Sequence, residues 1–113
     1  MKTTVPTIGR DELHDAIREG TAVPLDAQGP GWFEREHLPT AVRARPEDLG
    51  ELEHRLPAGK DTPLAVYCWS ETCIASALTA AHLVELGYQR VQRYVGGKRE
   101  WIESGLPLEG DEA

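Results

Sequence analysis

Long apolar runs are missing from this 113-residue chain. No stretch approaches the roughly 20 consecutive apolar residues needed to cross a bilayer, which argues against a membrane protein. The opening residues Met1-Lys2-Thr3-Thr4-Val5-Pro6 also lack the apolar core of a secretory leader, so a cytoplasmic location is expected. Basic residues are scarce: 12 Lys plus Arg stand against 19 Asp plus Glu, a formal charge of -7. That field repels phosphate backbones and anionic lipid surfaces, so neither nucleic acid nor membrane is an expected partner. Cysteine is limited to Cys68 and Cys73, five positions apart. Two thiols without a secretory mark make a structural disulfide framework improbable and reactive thiols the better reading. His14, His37, His54 and His82 show no ligand spacing, and the Gly residues form no phosphate-cradling motif, so no metal or cofactor is expected. Repeats and low-complexity tracts are lacking as well.

What is present reads as one globular domain over residues 1–113, long enough for one hydrophobic core. Leu13, Ala16 and Ile17 share a helical face over Arg10–Glu19, with Gly20 placed to end the helix. The spacing predicts a short buried strand over Ala22–Asp26, then a surface loop over Ala27–Thr40 anchored by Trp32 and Phe33. Pro46-Glu47-Asp48 opens a predicted helix carrying Leu49, Leu52 and Leu56 and ending at Pro57-Ala58-Gly59. Leu64-Ala65-Val66-Tyr67 is the clearest buried strand and runs directly into Cys68. A loop, Trp69 to Ile74, leads into a helix from Ala75 to Leu86 closed by Gly87. A last strand over Val91–Val95, a Gly96-Gly97 turn and a short helix over Lys98–Ser104 complete the chain. Strands alternating with helices imply an α/β sheet covered on both faces.

Chemistry concentrates at Cys68. In open α/β sheets, reactive groups gather at the carboxyl ends of strands, and the loop after Cys68 precedes a helix N-terminus. Unpaired backbone N–H groups and the positive end of the helix dipole there favour an anion, either a thiolate or the outer sulfur of a persulfide. The competing reading is an inert core thiol, since unpaired Cys is often buried.

The ordered series Leu64-Ala65-Val66-Tyr67-Cys68, Leu86-Gly87-Tyr88, Val91, Tyr94, Gly96-Gly97, Trp101 and Gly105-Leu106-Pro107 resembles the C-terminal half of a rhodanese domain. Upstream, Leu25-Asp26 is similar to that family's strand-ending Asp, and Glu36-His37-Leu38-Pro39-Thr40-Ala41 to its Gly-His-Ile-Pro-Gly-Ala signature. The resemblance implies a doubly wound, mostly parallel α/β sheet and a sulfurtransferase. Its Cys68 would accept sulfane sulfur from thiosulfate, mercaptopyruvate or a persulfide. It would then yield that sulfur to a thiol, to cyanide or to a sulfur-carrier protein. By position, Trp69, Ser70, Glu71, Thr72, Cys73 and Ile74 would form the active-site loop, with Asp26 and His37 as structural supports.

The chain departs from the family pattern at Glu36 and Thr40, which replace glycines, and in a loop that offers Glu71 but no cation. An acidic loop repels dianionic thiosulfate. Lys98 and Arg99 are candidates for the missing cation, although a solvated surface role is the simpler reading for both. Cys73 has three readings: a small packing residue, a resolving thiol for Cys68, or the primary nucleophile. Trp69 could wall a pocket or mark a protein contact. Two other functions compete: a catalytically silent interaction module, and a thiol-redox protein cycling between dithiol and disulfide. An arsenate reductase or phosphatase would need an Arg near the loop end, where Ile74 and Ala75 stand.

Overall fold

The computed structural model describes residues 5–29, 31–56 and 59–111. The expectations placed on Met1–Thr4, Pro30, Pro57 and Ala58 lie outside them. Helix α1 (Arg10–Glu19) ends as expected at Gly20, whose φ of 72° lets its N–H reach the Ala16 and Ile17 carbonyls. It is followed by β1 (Val23–Asp26), α2 (Trp32–Arg35), β2 (Val42–Arg43), α3 (Leu52–Arg55), β3 (Leu64–Tyr67), α4 (Ala75–Glu85), β4 (Val91–Tyr94) and α5 (Gly97–Glu103). The four strands form one parallel sheet in the order β2-β1-β3-β4. Beyond β4, Thr7 adds a parallel bridge to Arg93.

Period-two alternation divides the core between the two faces of the sheet. Leu25, Leu64, Val66 and Val91 pack on one face with Leu52, Ala80 and Leu83, which brings α3 and α4 there. Ala65, Tyr67 and Tyr94 pack on the other with Leu13, Ile17 and Trp101, which brings α1 and α5. Both faces of the sheet are therefore covered, and β3, central and buried at all four residues, reads as a continuous apolar run.

Two segments differ from the sequence reading. The predicted helix over residues 46–56 is broken into a 3-10 turn at Pro46–Asp48 and the single-turn α3. Asp48 stops it. Its buried carboxylate lies 2.9 Å from Arg45, 3.4 Å from Arg43 and 3.4 Å from Arg55, and accepts the Arg45 backbone N–H as well. This cluster holds the carboxyl at a pKa of about 2, chiefly through the Arg45 hydrogen bond. The other difference is α2, one helical turn inside the expected loop. Trp32 on it is 48% exposed rather than an anchor, whereas Phe33 stacks on His37 with ring centres 4.0 Å apart.

Candidate active site

Asp26 and Tyr67 end neighbouring strands and stand opposite each other in register. Both are fully buried. The Tyr67 hydroxyl donates to Asp26 Oδ2 at 2.8 Å and accepts the Leu38 N–H at 3.1 Å. Asp26 Oδ1 accepts the Gln28 N–H at 2.9 Å. These bonds tie the Glu36–Ala41 segment and the chain after β1 to the sheet. Burial pushes the Asp26 carboxyl upward, against the lowering effect of the Gln28 and Tyr67 hydrogen bonds. Burial also pushes the Tyr67 hydroxyl well up. His37 accompanies them through Nδ1, 2.7 Å from the Phe33 carbonyl, and through a backbone bridge to Glu109. Thr40, one of the replaced glycines, adopts φ 65° and donates its N–H to Glu109 Oε1 at 2.9 Å. Glu36, the other, is extended at φ -164°.

Cys68 follows β3 directly and is 4% exposed. Its carbonyl accepts the Lys98 N–H at 2.9 Å, and the Trp69 carbonyl accepts the Arg99 N–H at 2.9 Å. The start of α5 thus fixes the start of the loop. Gly97 permits this approach: a Cβ there would lie 2.5 Å from the Trp69 carbonyl oxygen, and its φ is 73°. The loop then turns back through a Cys73 N–H to Ser70 carbonyl bond of 3.1 Å, and the Ser70 and Thr72 hydroxyls lie 3.1 Å apart. Among the described residues, the N–H groups of residues 69–72 and 74–76 have no hydrogen-bond partner. They form the set of donors that an anionic sulfur at the mouth of α4 would use.

The two cysteines are joined. Cys68 and Cys73 form a disulfide with their Cα atoms 6.1 Å apart. Of the three readings of Cys73, the geometry matches the one that pairs it with Cys68: the turn at Ser70–Cys73 brings the two side chains together, which spacing alone does not determine.

Both sulfur-bearing residues line a pocket of about 360 Å³ with Gln28, Gly29, Trp32 and Trp69. No charged side chain is among these. Glu71 instead borders a separate depression with Arg99, Glu100 and Glu103, so the acidic side chain expected at the site faces elsewhere. Trp69, 43% exposed, and Trp32 form the aromatic walls. Gln28 is buried, and its Oε1 has no hydrogen-bond partner among the described residues.

Lys98 overturns its surface reading. It is 1% exposed, and its Nζ donates to the Glu36 and Trp32 carbonyls. Burial lowers its pKa, opposed by the nearby Asp26 carboxylate. Its role is to hold the backbone of the Trp32 wall. Arg99 is exposed and pairs with Glu103. A further cation, Arg93 on β4, reaches the first turn of α4, with Nη2 3.2 Å from Ser76 Oγ. Ile74 is 72% exposed at the outer edge of the loop.

Tyr67, Gln28 and Gly97 carried no site role in the sequence reading, and Lys98 stood there only as a candidate cation. For Tyr67 a signal existed, a polar aromatic ending a buried strand whose hydroxyl needs a partner. The other three depend on which loops meet across the sheet.

A strand-ending cysteine cradled by backbone amides on a doubly wound parallel sheet defines the class, and comparison with known proteins agrees. The Rhodanese-like domain family model matches residues 9–104. The chain belongs to that family. It is 33% identical over 90 residues to the thiosulfate sulfurtransferase GlpE of Pseudomonas syringae, covering 80% of this chain and 81% of that one. The protein of the same name from Actinobacillus succinogenes is 32% identical over 95 residues, covering 84% and 82%. The chain is accordingly a rhodanese-like sulfurtransferase. Among solved structures, a Bacillus halodurans protein superposes with a TM-score of 0.84 at 23% identity, covering 95% of this chain and 78% of that one. The human single-domain sulfurtransferase gives 0.74 at 20% identity, covering 88% and 97%. These two attest to the fold. Among the described residues, no helix is long and apolar enough to cross a membrane, and no group of three or more His, Cys, Asp or Glu could hold a metal ion.

Proposed function

We propose that this sulfurtransferase carries sulfane sulfur as a persulfide on Cys68, taken from a small organic persulfide in preference to thiosulfate. The observation that carries the reading is the placement of Cys68. It follows the central strand β3 directly, opens on a pocket, and is followed by a loop whose amides, that of Cys73 apart, are unbonded within the described residues. Such amides stabilise the attacking thiolate and the outer sulfur of the adduct alike. Asp26 and His37 act as supports, Asp26 by fixing Tyr67 and Gln28.

The donor preference follows from the walls. Thiosulfate is a compact dianion with no apolar body, and the pocket lining supplies no cation. A persulfide with an organic body gains contact with the exposed faces of Trp32 and Trp69. Thiosulfate and mercaptopyruvate remain slower donors in this reading. Acceptors are a thiol, cyanide in an assay, or a sulfur-carrier protein. Residues 1–113 work as one domain, and a cytoplasmic location suits cysteines that must be returned to thiols after use.

The test is the rate of sulfur loading on reduced protein, followed by intact mass, with cysteine persulfide, mercaptopyruvate and thiosulfate. Faster loading by the persulfide, slowed in Trp69→Ala, supports the donor assignment. Loading fastest with thiosulfate overturns it and leaves the carrier role standing. A protein that no donor modifies is a silent interaction module.

A further inference from the structure

We propose that Cys73 discharges the Cys68 persulfide, so that the protein releases its sulfur as hydrosulfide and turns over by consuming an external dithiol. This rests on the Cys68 carrier reading and adds a second catalytic residue and a different product.

The geometry supports the step without any rearrangement of the fold. The two sulfurs are bonded while every contact that shapes the loop is in place: Cys68 carbonyl to Lys98 N–H, Trp69 carbonyl to Arg99 N–H, and Ser70 carbonyl to Cys73 N–H. Cys73 is therefore a pocket wall residue whose thiol sits within bonding reach of Cys68 Sγ once the disulfide is opened. An external acceptor must instead enter the pocket to find a Cys68 that is 4% exposed. A preplaced intramolecular nucleophile has the advantage over a dilute one.

The chemistry balances in three steps. The Cys68 thiolate attacks the outer sulfur of a donor persulfide, forming Cys68–S–SH and releasing the donor thiol. The Cys73 thiolate then attacks Cys68 Sγ. The bond from Sγ to the outer sulfur breaks, and that sulfur leaves as hydrosulfide with the bond's electron pair. Hydrosulfide is a less basic leaving group than an alkanethiolate, which favours this direction. Sulfane sulfur is thereby reduced to sulfide, and the two cysteine thiols are oxidised to the disulfide seen in the structure. A dithiol reductant restores both thiols by thiol–disulfide exchange and leaves as its own disulfide. In sum, one persulfide and one dithiol give one thiol, one sulfide and one oxidised dithiol.

The experiment uses the full chain, reduced and freed of reductant under anaerobic conditions, then given one equivalent of cysteine persulfide. Intact mass and released sulfide are followed together for wild type, Cys73→Ser, Cys73→Ala and Cys68→Ser. The expected wild-type course is a transient gain of one sulfur, then a species two hydrogens lighter than the starting protein, with one equivalent of sulfide and no added thiol. Both Cys73 variants should hold the added sulfur, with sulfide at the blank level until a thiol is supplied. With dithiothreitol in excess, wild type should make sulfide continuously and both variants should lag.

If wild type keeps its added sulfur as long as the Cys73 variants do, the proposal is wrong while the carrier reading survives. Release of sulfide at equal rates from wild type and variants also overturns it. If neither the wild type nor either Cys73 variant gains sulfur and no sulfide is released, both readings fall together.

Discussion

Replacing Gly97 with Ala should damage the loop that holds Cys68, and the structure allows the cost to be divided. Gly97 has φ 73°, which costs an L-residue about 1–2 kcal/mol. Its added Cβ would also meet the Trp69 carbonyl oxygen at 2.5 Å, the Trp69 carbonyl carbon at 2.7 Å and the Cys68 carbonyl oxygen at 2.8 Å. These are backbone atoms, so the loop itself must move, adding about 1–3 kcal/mol of overpacking. Gly105, just past the other end of α5, serves as the control. Its φ is 74°, yet nothing lies within 4 Å of its Cβ position, so Gly105→Ala should lose only the conformational part. Urea unfolding of both variants should show Gly97→Ala the weaker by about 1–3 kcal/mol. Persulfide loading should slow in Gly97→Ala alone, because the Lys98 and Arg99 N–H bonds to the loop are displaced. Equal stability losses, or unchanged loading in Gly97→Ala, would refute the claim that α5 positions the cysteine loop.

Three further outcomes are expected. The Asp48 carboxyl, held down from 3.8 to about 2, contributes stability that is present above its unfolded value and lost as pH falls through about 2. Asp48→Asn should therefore destabilise the protein at neutral pH by about 2 kcal/mol and flatten acid unfolding between pH 4 and 2, read by circular dichroism. Thr40→Gly should raise urea resistance by about 0.5–1 kcal/mol, because it relieves the φ of 65° while keeping the N–H bond to Glu109; a loss of stability would contradict the strain. Lys98→Met keeps the buried stem but leaves the Glu36 and Trp32 carbonyls unpaired, so it should cost about 1–3 kcal/mol and red-shift tryptophan emission as Trp32 loses its fixed backbone and moves further into solvent.

The regular elements were legible because each carries its own periodicity. The α1 stripe with its terminal Gly20, and the apolar run of β3, need no knowledge of the rest of the chain. Cys68 was legible for the same reason, since strand, cysteine, loop and helix follow one another in sequence. The helix expected over residues 46–56 failed because the leucine spacing was real but three arginines from different segments converge on Asp48 and stop the helix. The single turn of α2 is too short to show a period at all. Lys98 looked like a surface lysine because its partners, the Glu36 and Trp32 carbonyls, lie more than 60 residues away. The disulfide depended on the Ser70–Cys73 turn, whose direction a spacing of five residues does not encode.

The most direct test of the central claim is the intact mass of reduced protein after exposure to cysteine persulfide, on wild type and Cys68→Ser in parallel, with peptide mapping of the adduct. The account predicts a gain of one sulfur that maps to Cys68, transient in the wild type and caught at the earliest quench times, and absent from Cys68→Ser. An adduct that persists in Cys68→Ser, or that maps to Cys73 in protein quenched at the earliest times, would contradict it.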